Sequence, residues 1–156
     1  MKRSVAILSL VLAVPACGTG ERPFRLVQFC LGEISQIATM NAVLRNVAAT
    51  NRLPFYDNSR ATEADLNSAA KIQHNLPVAH PTVNVGTEGP DAMGFSAGNF
   101  PEAPSQIVVG FSKGSDIAKA RKLSDDVVQA LSRRWRIREV TNVDASGAFP
   151  LKDCNG

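Results

Sequence analysis

Histidine is scarce in this chain: His74 and His80 are the only two in 156 residues. Tryptophan and tyrosine occur once each, and the three cysteines are far apart. These shortages exclude several chemistries. Zinc sites use closely spaced Cys and His pairs. Here the histidines stand six residues apart with Pro77 between them, so they do not share a helix face, and neither Cys30 nor Cys154 is near them in sequence. No metal site and no cofactor is expected. Phosphate-binding fingerprints of the P-loop or dinucleotide type are absent, as are low-complexity tracts and repeats of fold-defining period. The longest apolar run, Val5 to Val14, has ten residues, too few for a stable membrane-spanning helix.

That short run has a different meaning. Lys2 and Arg3 precede it and the small residues Pro15 and Ala16 follow it, the three-part build of a secretory signal. Residues 1–16 are therefore expected to be removed. Val14-Pro15-Ala16-Cys17-Gly18 resembles the lipobox of bacterial lipoproteins, with an aliphatic residue three places before the cysteine and a small residue just before it. Pro15 departs from the usual pattern. The resemblance implies lipid modification at Cys17 and a membrane-anchored location facing the periplasm. The same bond also fits an ordinary signal peptidase, which would give a soluble periplasmic or secreted protein.

Removal of the leader changes the charge. Lys2 and Arg3 leave with it, so 17 − 2 = 15 basic residues face 14 acidic ones, and the net charge falls from +3 to +1. A nucleic-acid partner, which needs a strong basic footprint, is not expected. The remaining 140 residues suit one domain. Lipidation of Cys17 leaves Cys30 and Cys154 to pair in an oxidising compartment. Such a bridge closes a 124-residue loop, for which the chain-entropy model gives about 4 to 5 kcal/mol.

Along the mature chain, residues 17–23 read as a tether and 24–156 as a single α+β domain. Phe24 to Leu31 reads as a central strand, apolar on both faces. Ile34, Ile37, Ala38, Leu44, Val47 and Ala48 recur at helical spacing over 33–50. Leu53 to Asp57 is a short extended piece that Pro54 confines to an edge or bend. A helix capped by Thr62 is expected over 63–73, and a loop over 75–81. Strands follow at 82–86, 92–98 and 106–111, separated by turn chemistry. Asp116 to Trp135 is the best helix, 136–143 a last strand and 145–156 an irregular tail. The order predicts a mostly antiparallel sheet with helices on one face, an elaborated ferredoxin-like (βαββαβ) sandwich with its first and last strands adjacent.

Gly-x-Ser-x-Gly occurs twice, as Gly94-Phe-Ser96-Ala-Gly98 and Gly110-Phe-Ser112-Lys-Gly114. The second lies between strand and helix, the context of a nucleophile elbow. A serine needs a positioned base, yet both histidines precede Ser112 and only 44 residues follow it. Pro101 and Pro104 also stand where a helix should follow the Ser96 copy. Ser112 and Ser96 are thus weak catalytic candidates, and the glycines read as turn formers. Gly110, Ser112, Lys113, Gly114 and Ser115 form a candidate anion site at a helix start, opposed by Asp116, which already complements the dipole. Arg133-Arg134-Trp135-Arg136 with Arg138 is the densest basic cluster, suited to anionic headgroups or an acidic patch. Trp135 itself falls on the apolar stripe with Val128 and Leu131. Asp125 and Asp126, four residues after Arg121 and Lys122, read as surface pairs.

The expectation is an exported envelope protein that binds another macromolecule or inhibits one, attached to the membrane by its N-terminal lipid and without catalysis. The alternative is a small serine hydrolase using Ser112 with His74 or His80.

Overall fold

The computed structural model describes residues 22–73, 81–101, 103–141 and 154. It is a mixed α+β structure, with six strands in one sheet and every strand pairing antiparallel. The elements are β1 (Arg25–Cys30), α1 (Ile37–Thr50, entered through a 3-10 turn at Ile34–Gln36), β2 (Phe55–Asp57), α2 (Ser59–Gln73), β3 (Asn84–Glu88), β4 (Gly94–Phe100), β5 (Ala103–Ser112), α3 (Ile117–Ser132) and β6 (Arg138–Glu139). The strand order is β2-β3-β4-β5-β1-β6, so the first and last strands are neighbours.

Strand alternation sets the core. In β1 and β5, Val27 faces Val109 and Phe29 faces Ile107, all buried. Phe95 and Ala97 on β4 continue this face, followed by Val85 and the buried Thr87 on β3. Met40, Leu44 and Val47 of α1 meet Leu123, Val127 and Leu131 of α3 over the same cluster. Trp135, just past α3, is buried against Phe29 with ring centroids 5.5 Å apart, and its Nε1 donates to Gln36 Oε1 at 3.0 Å.

Several boundaries differ from expectation, for identifiable reasons. Helix α2 begins at Ser59, because Asp57 Oδ1 accepts the Ser59 N–H at 3.1 Å. Thr62 is inside that helix, its Oγ1 accepting from Asn84 Nδ2 at 2.8 Å, and is not the cap. Helix α3 ends at Ser132, and Trp135 lies in the following turn. The turn expected across 99–105 is tighter, since Pro104 lies within β5. Asn99 makes this possible at a bulge, its Nδ2 donating to the carbonyls of Pro81 and Pro104. Strand β6 spans two residues where eight were expected, and residues 142–143 lie outside the described ones.

One polar cluster ties three elements together. Arg25 on β1 donates to Glu139 Oε1 at 2.6 Å, Asp125 Oδ1 at 2.7 Å and Ser124 Oγ at 3.0 Å. Its guanidinium lies 5.9 Å from the centre of the Phe111 ring. These bonds, those to Glu139 foremost, hold the Arg25 proton more tightly than usual against the opposing effect of burial. On the opposite face of the sheet, the buried side chains of Gln28 and Gln106 meet at 3.1 Å.

Candidate functional site

The two Gly-x-Ser-x-Gly segments are cross-strand partners. In the β4–β5 ladder Gly94 faces Ser112, Phe95 faces Phe111 and Ser96 faces Gly110. The alternation of a strand then explains the motif: both phenylalanines and Ala97 enter the core, and Gly94, Ser96, Gly98, Gly110 and Ser112 fall on the other face. Gly94 is required sterically, because a side chain there would run into the Thr87 backbone. A side chain at Gly86 would likewise meet the Phe95 carbonyl and the Tyr56 ring. Sequence spacing alone could not show that the two copies explain each other.

Ser112 is the last residue of β5, and four residues separate it from α3. It therefore does not occupy the strand-to-helix turn of a nucleophile elbow. Its Oγ donates to the Ala92 carbonyl at 2.7 Å, which fastens the end of β5 to the 3-10 turn at Pro90–Ala92. Ser96 stands in mid-strand opposite Gly110. The histidines expected to serve as bases, His74 and His80, lie outside the described residues, as does Cys17.

The five residues of the candidate anion site do not form one cradle. Gly110 is a strand residue, with Leu26 and Pro23 above its α-carbon on the face away from α1 and α3. Gly114 turns with a φ of 55°. Ser115 Oγ hydrogen-bonds Asp91 Oδ2, which brings a carboxylate to the loop. At the helix start, Asp116 Oδ1 accepts the N–H groups of Ala118 and Lys119, each at 3.1 Å. These bonds, that from the Lys119 N–H first, hold the Asp116 carboxyl below its usual range. The helix-start N–H groups of Ala118 and Lys119 are thus already engaged by the chain's own acid.

A concave surface lies elsewhere among the described residues. A groove of about 650 Å³ follows the solvent side of the α1–α3 seam, with Val43, Val47 and Ala130 among its apolar walls and Asn46, Thr50 and Gln129 among its polar ones. Lys122, Arg133 and Arg134 bring three positive charges to its lining and Asp126 one negative charge. That acid is engaged: Lys122 Nζ lies 2.6 Å from Asp126 Oδ2, and Asn51 Nδ2 donates to the same oxygen at 3.1 Å. The Lys122 bond first, aided by Asn51 and opposed by burial, holds the Asp126 carboxyl below its ordinary value. Asp125 does not pair with Arg121 as the spacing suggested, because Arg25 on β1 takes it. No acidic residue occurs in α1. The arginines at 133 and 134 were legible as a basic cluster. That α1 supplies the facing wall was not.

Cys30 and Cys154 are joined as a disulfide, with α-carbons 5.3 Å apart. The buried Cys154 accepts through its carbonyl a hydrogen bond of 2.7 Å from Ser105 Oγ, so this point of the tail is fixed beside β5. Among the described residues, no group of three or more His, Cys, Asp or Glu side chains is placed to hold a metal ion, and no helix is long and apolar enough to cross a membrane. No protein-family model matches the chain, and a search of curated proteins finds no match.

Proposed function

We propose that the protein is an exported envelope protein, anchored through a lipid on Cys17, that works as a binding or inhibitory module without catalysis. The leader and the lipobox-like segment around Cys17 support export and anchoring. A disulfide between Cys30 and Cys154 is compatible with an oxidising compartment. The strand order β6-β1-β5-β4, with α1 following β1 and α3 following β5, supports reading the centre as a ferredoxin-like unit. In that reading β2, α2 and β3 are an insertion that widens the sheet.

The observation that carries binding over catalysis is the placement of Ser112. Its hydroxyl sits at a strand end and donates to a backbone carbonyl, while the α1–α3 groove lies on the far side of that helical layer. The test expresses the chain through its own leader and follows fractionation, intact mass and labelling by a fluorophosphonate probe. The expected result is a membrane-bound chain that begins at a lipid-bearing Cys17, becomes soluble as Cys17→Ser and takes no label at Ser112. An uncleaved chain retained in the cytoplasm would overturn the export reading. Labelling at Ser112 that is lost in Ser112→Ala would restore the hydrolase.

A further inference from the structure

We infer that the α1–α3 groove receives an acidic segment of another protein, on the side of the domain turned away from the anchoring membrane. The orientation rests on the lipid-anchored reading above; the groove's preference for an anion does not.

Charge is the first reason. The lining carries three cations against one acid, a surplus of 3 − 1 = +2, and the acid is occupied by Lys122 and Asn51. Arg133 and Arg134 are exposed, and no carboxylate on α1 answers them from the opposite wall. The apolar strip of Val43, Val47 and Ala130 beneath these cations suits a segment that brings carboxylates on one side and aliphatic carbon on the other. Amides at Asn46 and Gln129 are at hand for the backbone and side chains of such a segment, and the Thr50 hydroxyl, which donates to the Asn46 carbonyl, can accept from it.

The chain's point of exit is the second reason, and it separates a protein partner from lipid headgroups. Pro23 packs over Gly110 beside Leu26, on the sheet face opposite α1 and α3. Six residue steps join Cys17 to Pro23, a reach of at most about 20 Å when fully extended. The tether thus leaves the domain from the glycine-bearing sheet face and not from the groove. The groove, on the solvent side of the helices, opens outward to whatever the protein meets there.

The experiment uses the exported full chain, labelled with 15N, and two probes. One is a synthetic amphipathic peptide with glutamates along one face and leucines along the other, compared with its glutamine-for-glutamate analogue. The other is phosphatidylglycerol vesicles, compared with phosphatidylcholine vesicles. The acidic peptide is expected to shift the amide signals of Asn46, Thr50, Gln129 and Arg133, and to bind at least about fivefold more tightly than its analogue. The double variant Arg133→Gln/Arg134→Gln should lose about fivefold to tenfold of that affinity. Arg121→Gln, which removes one positive charge from α3 outside the groove lining, should lose none.

Equal binding of both peptides, or shifts confined to other surfaces, would overturn the inference. Stronger perturbation of the same amides by phosphatidylglycerol vesicles than by the peptide would assign the groove to headgroups instead. A lipid-bearing chain with an unresponsive groove refutes the groove and leaves the anchoring intact. A responsive groove on a chain without lipid refutes the orientation alone.

Discussion

The paired Gly-x-Ser-x-Gly strands make an ordered series of substitutions unusually discriminating. In a serine enzyme the hydroxyl is the sensitive position for function; in this sheet the glycine and phenylalanine positions should dominate folding. Gly94→Ala places a methyl against the Thr87 backbone, with the Thr87 carbonyl carbon 2.9 Å away and Glu88 Cα 3.2 Å away. Both neighbours are main chain, so no rotamer change relieves the contact and β3 must move off β4. Such overpacking costs about 3 kcal/mol. Phe95→Ala or Phe111→Ala empties a buried ring site, at about 3–5 kcal/mol. Ser112→Ala removes one neutral hydrogen bond to the Ala92 carbonyl, about 1 kcal/mol. Gly110→Ala meets only ordinary contacts, 3.5 Å from Leu26 and 3.6 Å from Pro23, and should cost under about 0.5 kcal/mol. Urea unfolding followed by the fluorescence of Trp135, the sole tryptophan, measures all of these. If Ser112→Ala proves as damaging as Phe111→Ala while Gly94→Ala unfolds at the wild-type midpoint, the scaffold account of both motifs is wrong.

Three further outcomes are expected. Arg25→Met should cost about 1–2 kcal/mol at low salt and less at high salt, because its partners Asp125 and Glu139 are largely exposed; an unchanged midpoint would show that the cluster holds nothing. Asp126 has a folded-state pKa below its ordinary 3.8, so its stabilising contribution is complete above that value and is lost as pH falls through the lowered one. The stability difference between wild type and Asp126→Asn should therefore be greatest near neutral pH and shrink on acidification, as read from urea midpoints across pH. Replacing both Cys30 and Cys154 by serine frees a 124-residue loop and should cost up to about 4 to 5 kcal/mol; reductant added to the wild type should reproduce the loss.

Periodicity was a good guide where one face of an element is buried. Val27 and Phe29 in β1, or Leu123, Val127 and Leu131 in α3, must point one way, and their spacing says which element they build. Proline 54 marked an edge strand correctly, yet proline 104 misled, because the Asn99 side chain that satisfies the carbonyls there is a tertiary fact with no local signature. The start of α2 was missed for a related reason: Asp57 supplies the early hydrogen bond, and a better-looking capping pattern lay downstream at Thr62. The groove was half legible. Arg133 and Arg134 announce themselves as a basic run, whereas the acid-free wall opposite them comes from a helix some eighty residues earlier. The partner of Asp125 was invisible for the same reason, since Arg25 stands 100 residues away.

The position of β1, held between β5 and β6, has a consequence for the order in which the chain can fold. Its contacts with β5, β6 and the tail span 76 residues, from Cys30 to Gln106, up to 124, from Cys30 to Cys154. A strand whose partners come so late cannot be locked until nearly the whole chain is available, and pairing at that separation is slow. A polypeptide threading through a translocation channel has to stay unfolded during the passage. For the exported chain proposed above, setting β1 first and closing the sheet on both sides of it last would delay folding until little of the chain is left to cross.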